Sequence, residues 1–296
     1  MTPPPLTVGL PVYNGAAYLA ESLDSVLGQT FAELVLVISD NGSTDATPEI
    51  CHEYATQDDR VLYVRHDVNR GAAWNYNAVF HRAESPYFKW AAADDVIAPT
   101  FLERCVGALD AGPPTIALCY PRTEVIDGLG DHVREQDDDL DARSPRPYAR
   151  FYRVLMNVTF GNPMFGVMRR QLLAGTRLHG NFPSADWVLL AEIALAGEIW
   201  ELPDRLFRRR EHTGTSRAAN VSLEELTQWF DPAAQAIRSE HRTLFREFLT
   251  GIAYARLRPT DRAITYAAFA AAWARRHSWL SRRTRSLLAR RASRSG

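Results

Sequence analysis

Between Lys89 and Asp95 an apolar run, Trp90-Ala91-Ala92-Ala93, stops on two adjacent carboxylates, Asp94 and Asp95. This reads as a buried strand delivering two like charges to its carboxyl end. Adjacent carboxylates repel, and removing them from water costs several kcal/mol each unless a counter-charge arrives. A hard divalent cation carrying a diphosphate is the commonest such counter-charge. The same residues also read as the approach to a helix, because Pro99 follows and Thr100 with Glu103 has the spacing of a capping box. Taken alone, the residues leave both readings open. Three more groups are placed for chemistry. Asp40 closes the apolar run 34–38 just before Asn41-Gly42, where an Asp also serves as an ordinary turn former. Asp186 falls in the first turn of a helix behind Ser184, a natural N-cap, and an acid there is favourable for the helix dipole alone. His212 follows Arg208-Arg209-Arg210 in a polar loop.

The elements that position these groups alternate. Short apolar runs at 8–13, 34–38, 61–64, 87–92 and 116–120 predict strands, the second of them continuous enough to be buried on both faces of a parallel sheet. Between them, helical spacing is carried by Leu19, Leu23, Val26 and Leu27, then by a helix with Pro48 in its first turn, then by 71–83 and 99–109. Alternation of this kind predicts βαβ units, an α/β fold and a mostly parallel sheet. Ligands of such sheets bind outside the carboxyl ends of the strands, where Tyr13, Asp40 and Asp94 all fall. The stretch 126–147, rich in Asp, Arg and Pro, reads as a solvated connection, either a plain surface loop or a lid. Another helix is expected over 184–195, and from 222 onward the pattern is helical, ending in an Arg-rich tail without an acid after Asp261.

With 296 residues, 46% of them hydrophobic, the chain can bury one large core or two modest ones, and a net charge of −1 gives no global field for nucleic acid. Three cysteines, Cys51, Cys105 and Cys119, sit in apolar contexts and fit a reducing compartment better than a disulfide framework or a zinc site. The start, Met1-Thr2-Pro3-Pro4-Pro5, lacks the basic segment of a signal peptide, and no run reaches the roughly 20 apolar residues that span a bilayer. A cytoplasmic protein is expected. The tail mixes Phe269, Trp273, Trp279, Leu280, Leu287 and Leu288 with arginines, which suits peripheral contact with an anionic membrane or, equally, packing on the core or at a dimer interface.

Several motifs in order resemble the family 2 glycosyltransferases of the GT-A fold, over residues 6–217. They are Pro11-Val12-Tyr13-Asn14, Ser39-Asp40-Asn41-Gly42-Ser43-Thr44-Asp45, Asn69-Arg70-Gly71 with Asn77, and Ala92-Ala93-Asp94-Asp95. Gly161-Asn162-Pro163 with Arg169-Arg170, Ser184-Ala185-Asp186-Trp187 and Arg210-Glu211-His212 continue the series. The resemblance implies transfer of a sugar from a nucleoside diphosphate to an acceptor hydroxyl with inversion. It implies a Rossmann-like GT-A domain over 1–217, with 1–120 holding the donor and 121–217 the acceptor and base, followed by a helical region over 218–296.

In that scheme Asp40 accepts from a ring N–H of a pyrimidine, hence UDP or dTDP, and Pro11, Val12 and Tyr13 underlie the base. Asn14, Arg70, Gly71, Asn77 and Asp94 complete the donor contacts. Asp94, Asp95 and His212 hold Mg²⁺ or Mn²⁺, and Asp186 is the catalytic base. Ala92 and Ala185 depart from the family pattern, where an acid is common at each. The implied acceptor is a glycan, a lipid-linked or a small-molecule hydroxyl. Two other classes fit less well. A sugar nucleotidyltransferase needs a Gly-rich basic loop after the first strand, and a binding protein without activity has no use for Asp186. No G-x-G-x-x-G follows the first strand, which excludes a dinucleotide-binding dehydrogenase.

Overall fold

A computed structural model describes residues 4–220, 222–234, 237 and 239–292, with the backbone alone at 216, 217 and 277–292. Strands and helices alternate as the periodicity predicts: β1 (Leu6–Val12), α1 (Leu19–Leu27), β2 (Leu34–Asp40), α2 (Thr47–Gln57), β3 (Val61–Arg65), α3 (Ala72–His81) and β4 (Tyr87–Trp90). The second half is mixed: β5 (Val96–Ile97), α4 (Phe101–Ala111), β6 (Ile116–Ile126), β7 (His132–Gln136), α5 (Pro147–Asn157), a 3₁₀ turn (Asn162–Phe165), β8 (Val167–Arg169), α6 (Arg170–Leu173), α7 (Ala185–Ala196) and β9 (Glu198–Arg210). Helices α8 (Ser216–Ala219), α9 (Leu223–Phe230), α10 (Glu240–Tyr254) and α11 (Pro259–Ala292) follow.

The strands form one sheet in the order β3-β2-β1-β4-β8-β6-β9-β5, with β7 on β6. β1 runs parallel to both β2 and β4, and β2 to β3. β8 is inserted antiparallel between β4 and β6, while β6 and β9 are again parallel. The register Val12↔Asp40 brings the ends of β1 and β2 level, so their loops share one rim. Every residue of β1 is buried, as a strand covered by helices on both faces requires. One core cluster runs from Phe88, Trp90 and Leu118 in the sheet through Phe151 and Leu190 to Phe248 and Phe269 in the C-terminal helices. Trp90 meets Phe88 edge-on and gives its indole N–H to the carbonyl of Tyr76 at 2.9 Å, so the buried donor is satisfied.

Two local expectations are corrected, and one open alternative is narrowed. The 126–147 stretch is neither a free surface loop nor a lid. Residues 132–136 pair with β6, Asp138 is buried and accepts from Thr123 Oγ1 at 2.8 Å and from Asn162 Nδ2 at 3.0 Å, and Ala142 bridges to Ile199. Composition made the segment look solvated because most of its side chains are exposed, and its one buried acid takes partners from β6 and the 3₁₀ turn as well as from Gln136. The capping box does not form: α4 starts at Phe101 without a side-chain cap, and Glu103 instead accepts from Thr30 Oγ1 at 2.7 Å. In the tail, Phe269 is buried, and Trp273 lies against it and stacks on His241, so these two rings serve the core rather than a membrane. Trp279, Leu280, Leu287 and Leu288 lie outside the described side chains. Among the described residues no helix is long and apolar enough to cross a membrane.

Candidate active site

The rim formed by β1 and β2 is tied by its own polar residues. Asn14, at φ 51°, donates its N–H to Ser43 Oγ, and its side-chain oxygen accepts from the N–H of Thr44 at 2.8 Å. Gly15 and Ala16 donate to Thr47 and Asp45. Pro11 and Val12 are buried within the strand, and Tyr13, 46% exposed, is the part of this motif open to a ligand. Asp40 is fully buried: Oδ1 accepts from Ser43 N–H at 2.8 Å and Oδ2 from the Tyr63 hydroxyl at 3.0 Å, with Arg65 Nε at 3.6 Å. Each carboxylate oxygen keeps a second lone pair, so an N–H donor reaching Asp40 would share it with Tyr63.

The third loop packs on this rim. The side chain of Asn41 donates to Gly71 O and accepts from the Arg70 N–H, while the Arg70 guanidinium lies over Trp74. Gly71 has φ +86°, and a Cβ there would lie 2.3 Å from Phe230 O. Its glycine is thus required twice, by the dihedral and by the approach of the α9 end. The side chain of Asn77 is engaged by the backbone. Its amide exchanges two hydrogen bonds, each of 2.9 Å, with the backbone of His179, so it braces α3 against the loop that precedes α7.

Past the end of β4, Asp94 and His212 meet, with Nε2 3.0 Å from Oδ2. Gly214 N–H donates to His212 Nδ1, which puts the ring proton on Nε2, facing Asp94. Asp95 is buried and Oδ1 accepts from the Arg210 N–H at 2.8 Å. Burial, and next the charge of Asp94, push its carboxyl well above the usual carboxylate range. Arg210 is the hub of this corner. It donates to Asp94 O and Asp127 O, pairs with Glu21 at 2.5 Å, and stacks over Tyr18, whose ring also packs on His212. Neither Tyr18 nor Glu21 carried a sequence signal, since each is defined by a partner almost two hundred positions away.

The three residues expected to hold a cation do not converge. Among the described residues no group of three His, Cys, Asp or Glu is disposed to hold a metal ion. The Asp94–His212 pair does form, beside the buried carboxyl of Asp95. That donor set fits a hard cation of the Mg²⁺ type, which takes one or two protein ligands and completes its shell from phosphate and water.

Asp186 sits in the first turn of α7 and lines a cleft of about 760 Å³. Ser184 occupies the expected N-cap position but makes no side-chain cap bond. It adopts the left-handed conformation at φ 60°, and its hydroxyl donates to Glu240 Oε1 of α10 at 2.5 Å. Gly161 lies against the Asp186 carboxylate, because a Cβ there would lie 2.1 Å from Asp186 Oδ2. Tyr76 links the two halves of the site. Burial first, and then the charges of Asp94, Asp95 and Asp186, push its phenol above the ordinary range, so one ring feels all three carboxylates. Trp187 lines the cleft and packs on the core, with Arg276 over its ring.

The model of glycosyl transferase family 2 matches residues 7–175. A curated relative is the glycosyltransferase GlyA of Streptococcus pneumoniae, 36% identical over 98 residues, which are 33% of this chain and 14% of GlyA. The chain therefore spans a minor part of that relative. Among solved structures, S. aureus TarS 1–349 in complex with UDP-GlcNAc superposes with a TM-score of 0.63 at 18% identity, covering 88% of this chain and 70% of that one. The mannosyltransferase PcManGT from Pyrobaculum calidifontis, in complex with GDP-Man and Mn²⁺, gives a TM-score of 0.54 at 21% identity over 98% of this chain and 81% of that one. At these identities the likeness establishes a shared GT-A architecture.

Proposed function

The chain belongs to glycosyl transferase family 2, and from that premise we propose that it transfers a sugar from UDP or dTDP to an acceptor hydroxyl by single inverting displacement. One observation supports this reading: Tyr76 lines the cleft that holds Asp186 and packs against Trp90, the last residue of the strand that leads to Asp94 and Asp95. In this reading residues 1–120 hold the donor, 121–217 supply the base and the acceptor face, and the helices over 218–296 close the cleft.

Asp186 takes the proton of the acceptor hydroxyl as that oxygen attacks the anomeric carbon. General bases of this kind contribute typically 10²–10⁴-fold. Gly161 and the Ser184–Glu240 hydrogen bond hold the carboxylate's turn. Asp94, with His212 fixing its orientation, would hold Mg²⁺ or Mn²⁺, and Asp95 lies beside it, held by the Arg210 N–H. The cation, when bound, offsets charge on the departing diphosphate. Asp40 receives the pyrimidine ring N–H once Tyr63 shares its oxygen, and Tyr13 offers its exposed ring to the base.

The test is calorimetric titration of UDP, dTDP and GDP with Mn²⁺ and with EDTA. The expected result is Mn²⁺-dependent binding of UDP or dTDP that exceeds binding of GDP. Failure of all three to bind would overturn the transferase reading, and a preference for GDP would overturn the role given to Asp40.

A further inference from the structure

Among the described residues that line the cleft of Asp186, the corner residues Asp94, Asp95 and His212 are not found. A single displacement nevertheless needs both places at once. The attacking oxygen must lie within hydrogen-bond reach of the base, and the anomeric carbon about 3–3.5 Å beyond it, with the diphosphate leaving on the far side. The transferred sugar therefore occupies the part of the cleft between Asp186 and the end of β4. Tyr76 of α3 borders that part. It lines the cleft together with Asp186, and its ring packs against Trp90, the last residue of β4, at 6.3 Å.

The Tyr76 side chain is held firmly. Its carbonyl takes the indole N–H of Trp90 at 2.9 Å, and its ring stacks on His179 at 5.0 Å and 23°. His179 is fixed in turn by its stack on Phe230 at 5.7 Å and 19° and by the backbone bonds it exchanges with Asn77. The hydroxyl alone is unused. Among the described residues it has no hydrogen-bond partner, and it is not one of the polar atoms sealed from solvent without one, so it opens on the cleft. Other tyrosines spend theirs on a carboxylate: Tyr54 on Asp24, Tyr63 on Asp40, Tyr87 on Asp110 and Tyr120 on Glu201.

A phenol whose ring is packed normally finds a partner for its hydroxyl within the protein. Here a rigid ring presents that hydroxyl to the space a substrate must fill, which is how a preorganised binding group is built. The phenol is neutral at ordinary pH and both donates and accepts, which matches the hydroxyl of a sugar. Because it stands in the cleft and not at the corner of Asp94, the group that meets it is the sugar and not the diphosphate.

We propose that Tyr76 is a specificity-determining residue for the donor, its hydroxyl bonding one hydroxyl of the sugar being transferred. This rests on the transfer reaction proposed above and names a residue that reads the sugar and not the nucleotide.

The test compares the wild type with Tyr76→Phe, which loses the hydroxyl and keeps the ring on Trp90 and His179. Calorimetry with Mn²⁺ measures UDP, dTDP, UDP-glucose, UDP-galactose, UDP-GlcNAc and dTDP-glucose on the same samples. Affinity for the free diphosphate should stay within about two-fold, while affinity for the tightest donor should fall about five- to ten-fold, the usual effect of one neutral hydrogen bond. Deoxy versions of that donor then locate the contact. Loss of one particular hydroxyl should cost the wild type about the same factor and cost Tyr76→Phe almost nothing. A tyrosine with a purely structural role would weaken diphosphate and donor alike and show no such pairing. Equal donor affinity in the two proteins, a parallel loss of the free diphosphate, or deoxy effects that simply multiply would each overturn the proposal, as would a wild type that binds a free diphosphate but none of the donors. A wild type that binds neither diphosphates nor donors would overturn the transferase reading itself.

Discussion

His212 donates through Nε2 to Asp94 Oδ2 at 3.0 Å because its other nitrogen already accepts the Gly214 N–H. The imidazole therefore orients the carboxylate as a neutral donor, and serving as a cation ligand through Nε2 requires it to move its proton to Nδ1 and give up the Gly214 bond. Replacing His212 by Ala should weaken Mn²⁺-dependent UDP binding about 10–100-fold, the usual effect of removing a group that orients a metal ligand. UDP binding in EDTA should stay within about two-fold. Calorimetry with and without Mn²⁺ checks this, and equal losses under both conditions would show that His212 contacts the nucleotide instead.

Asp186→Asn keeps the shape of the side chain and removes its basicity. Turnover should fall about 10²–10⁴-fold with UDP affinity unchanged. Single-turnover transfer from the donor sugar separates the two quantities. A variant that keeps more than a tenth of the wild-type rate would remove Asp186 from the role of base, leaving it the dipole-stabilising acid that its first-turn position also explains.

What the sequence disclosed and what it hid divide by distance along the chain. β1 to β4 and the acids at their ends were legible because each run and its turn are local, from the continuous apolar stretch of β2 to the Asn41-Gly42 that ends it. The burial of Asp138 within the stretch 126–147 was hidden because two of its partners, Thr123 and Asn162, lie 15 and 24 positions away. The insertion of β8 between β4 and β6 had no periodic signature, being three residues long. Ser184 had the composition of a cap and the partner of a clamp: Glu240, 56 positions on, takes its hydroxyl. Arg210 is the clearest case, since its side chain joins Glu21, Asp94 and Asp127 into one corner that no window of sequence contains.

Two glycines with opposite surroundings give a paired stability prediction. At Gly71 a Cβ would meet Phe230 O at 2.3 Å with φ at +86°, so Gly71→Ala should cost about 1–3 kcal/mol and push the end of α9 from the cleft. Gly107 lies inside α4 with nothing within 4 Å of the added Cβ, so Gly107→Ala should gain about 0.5–1 kcal/mol. Urea unfolding of the two variants beside the wild type decides. A Gly71→Ala protein as stable as the wild type would mean that the α9 contact yields without cost.

Lys89, the chain's single lysine, is 1% exposed and gives its ammonium to two carbonyls, Trp90 O at 2.9 Å and Phe165 O at 2.6 Å, with the Phe101 ring at 4.6 Å. Burial pushes its pKa down from 10.5 to about 7. The unfolded chain binds this proton up to about pH 10.5, whereas the folded chain releases it near 7, so between these values the unfolded state holds more protons and stability rises with pH. Below about pH 7 both states are protonated, and the full cost of a buried cation weighs on the fold. Lys89→Met abolishes that titration but also loses the two hydrogen bonds, a loss that does not vary with pH. The stability of Lys89→Met relative to the wild type should therefore be most favourable near pH 6 and decline steadily toward pH 10. The change should be on the order of 3–4 kcal/mol, at about 1.4 kcal/mol for each unit of pKa displacement. Urea denaturation of both proteins at pH 6, 8 and 9.5 measures the difference directly, and titrating groups outside the field of Lys89 cancel between them. A flat difference would mean that Lys89 keeps its proton in the fold, held by the two carbonyls and the field of Asp95 rather than released by burial.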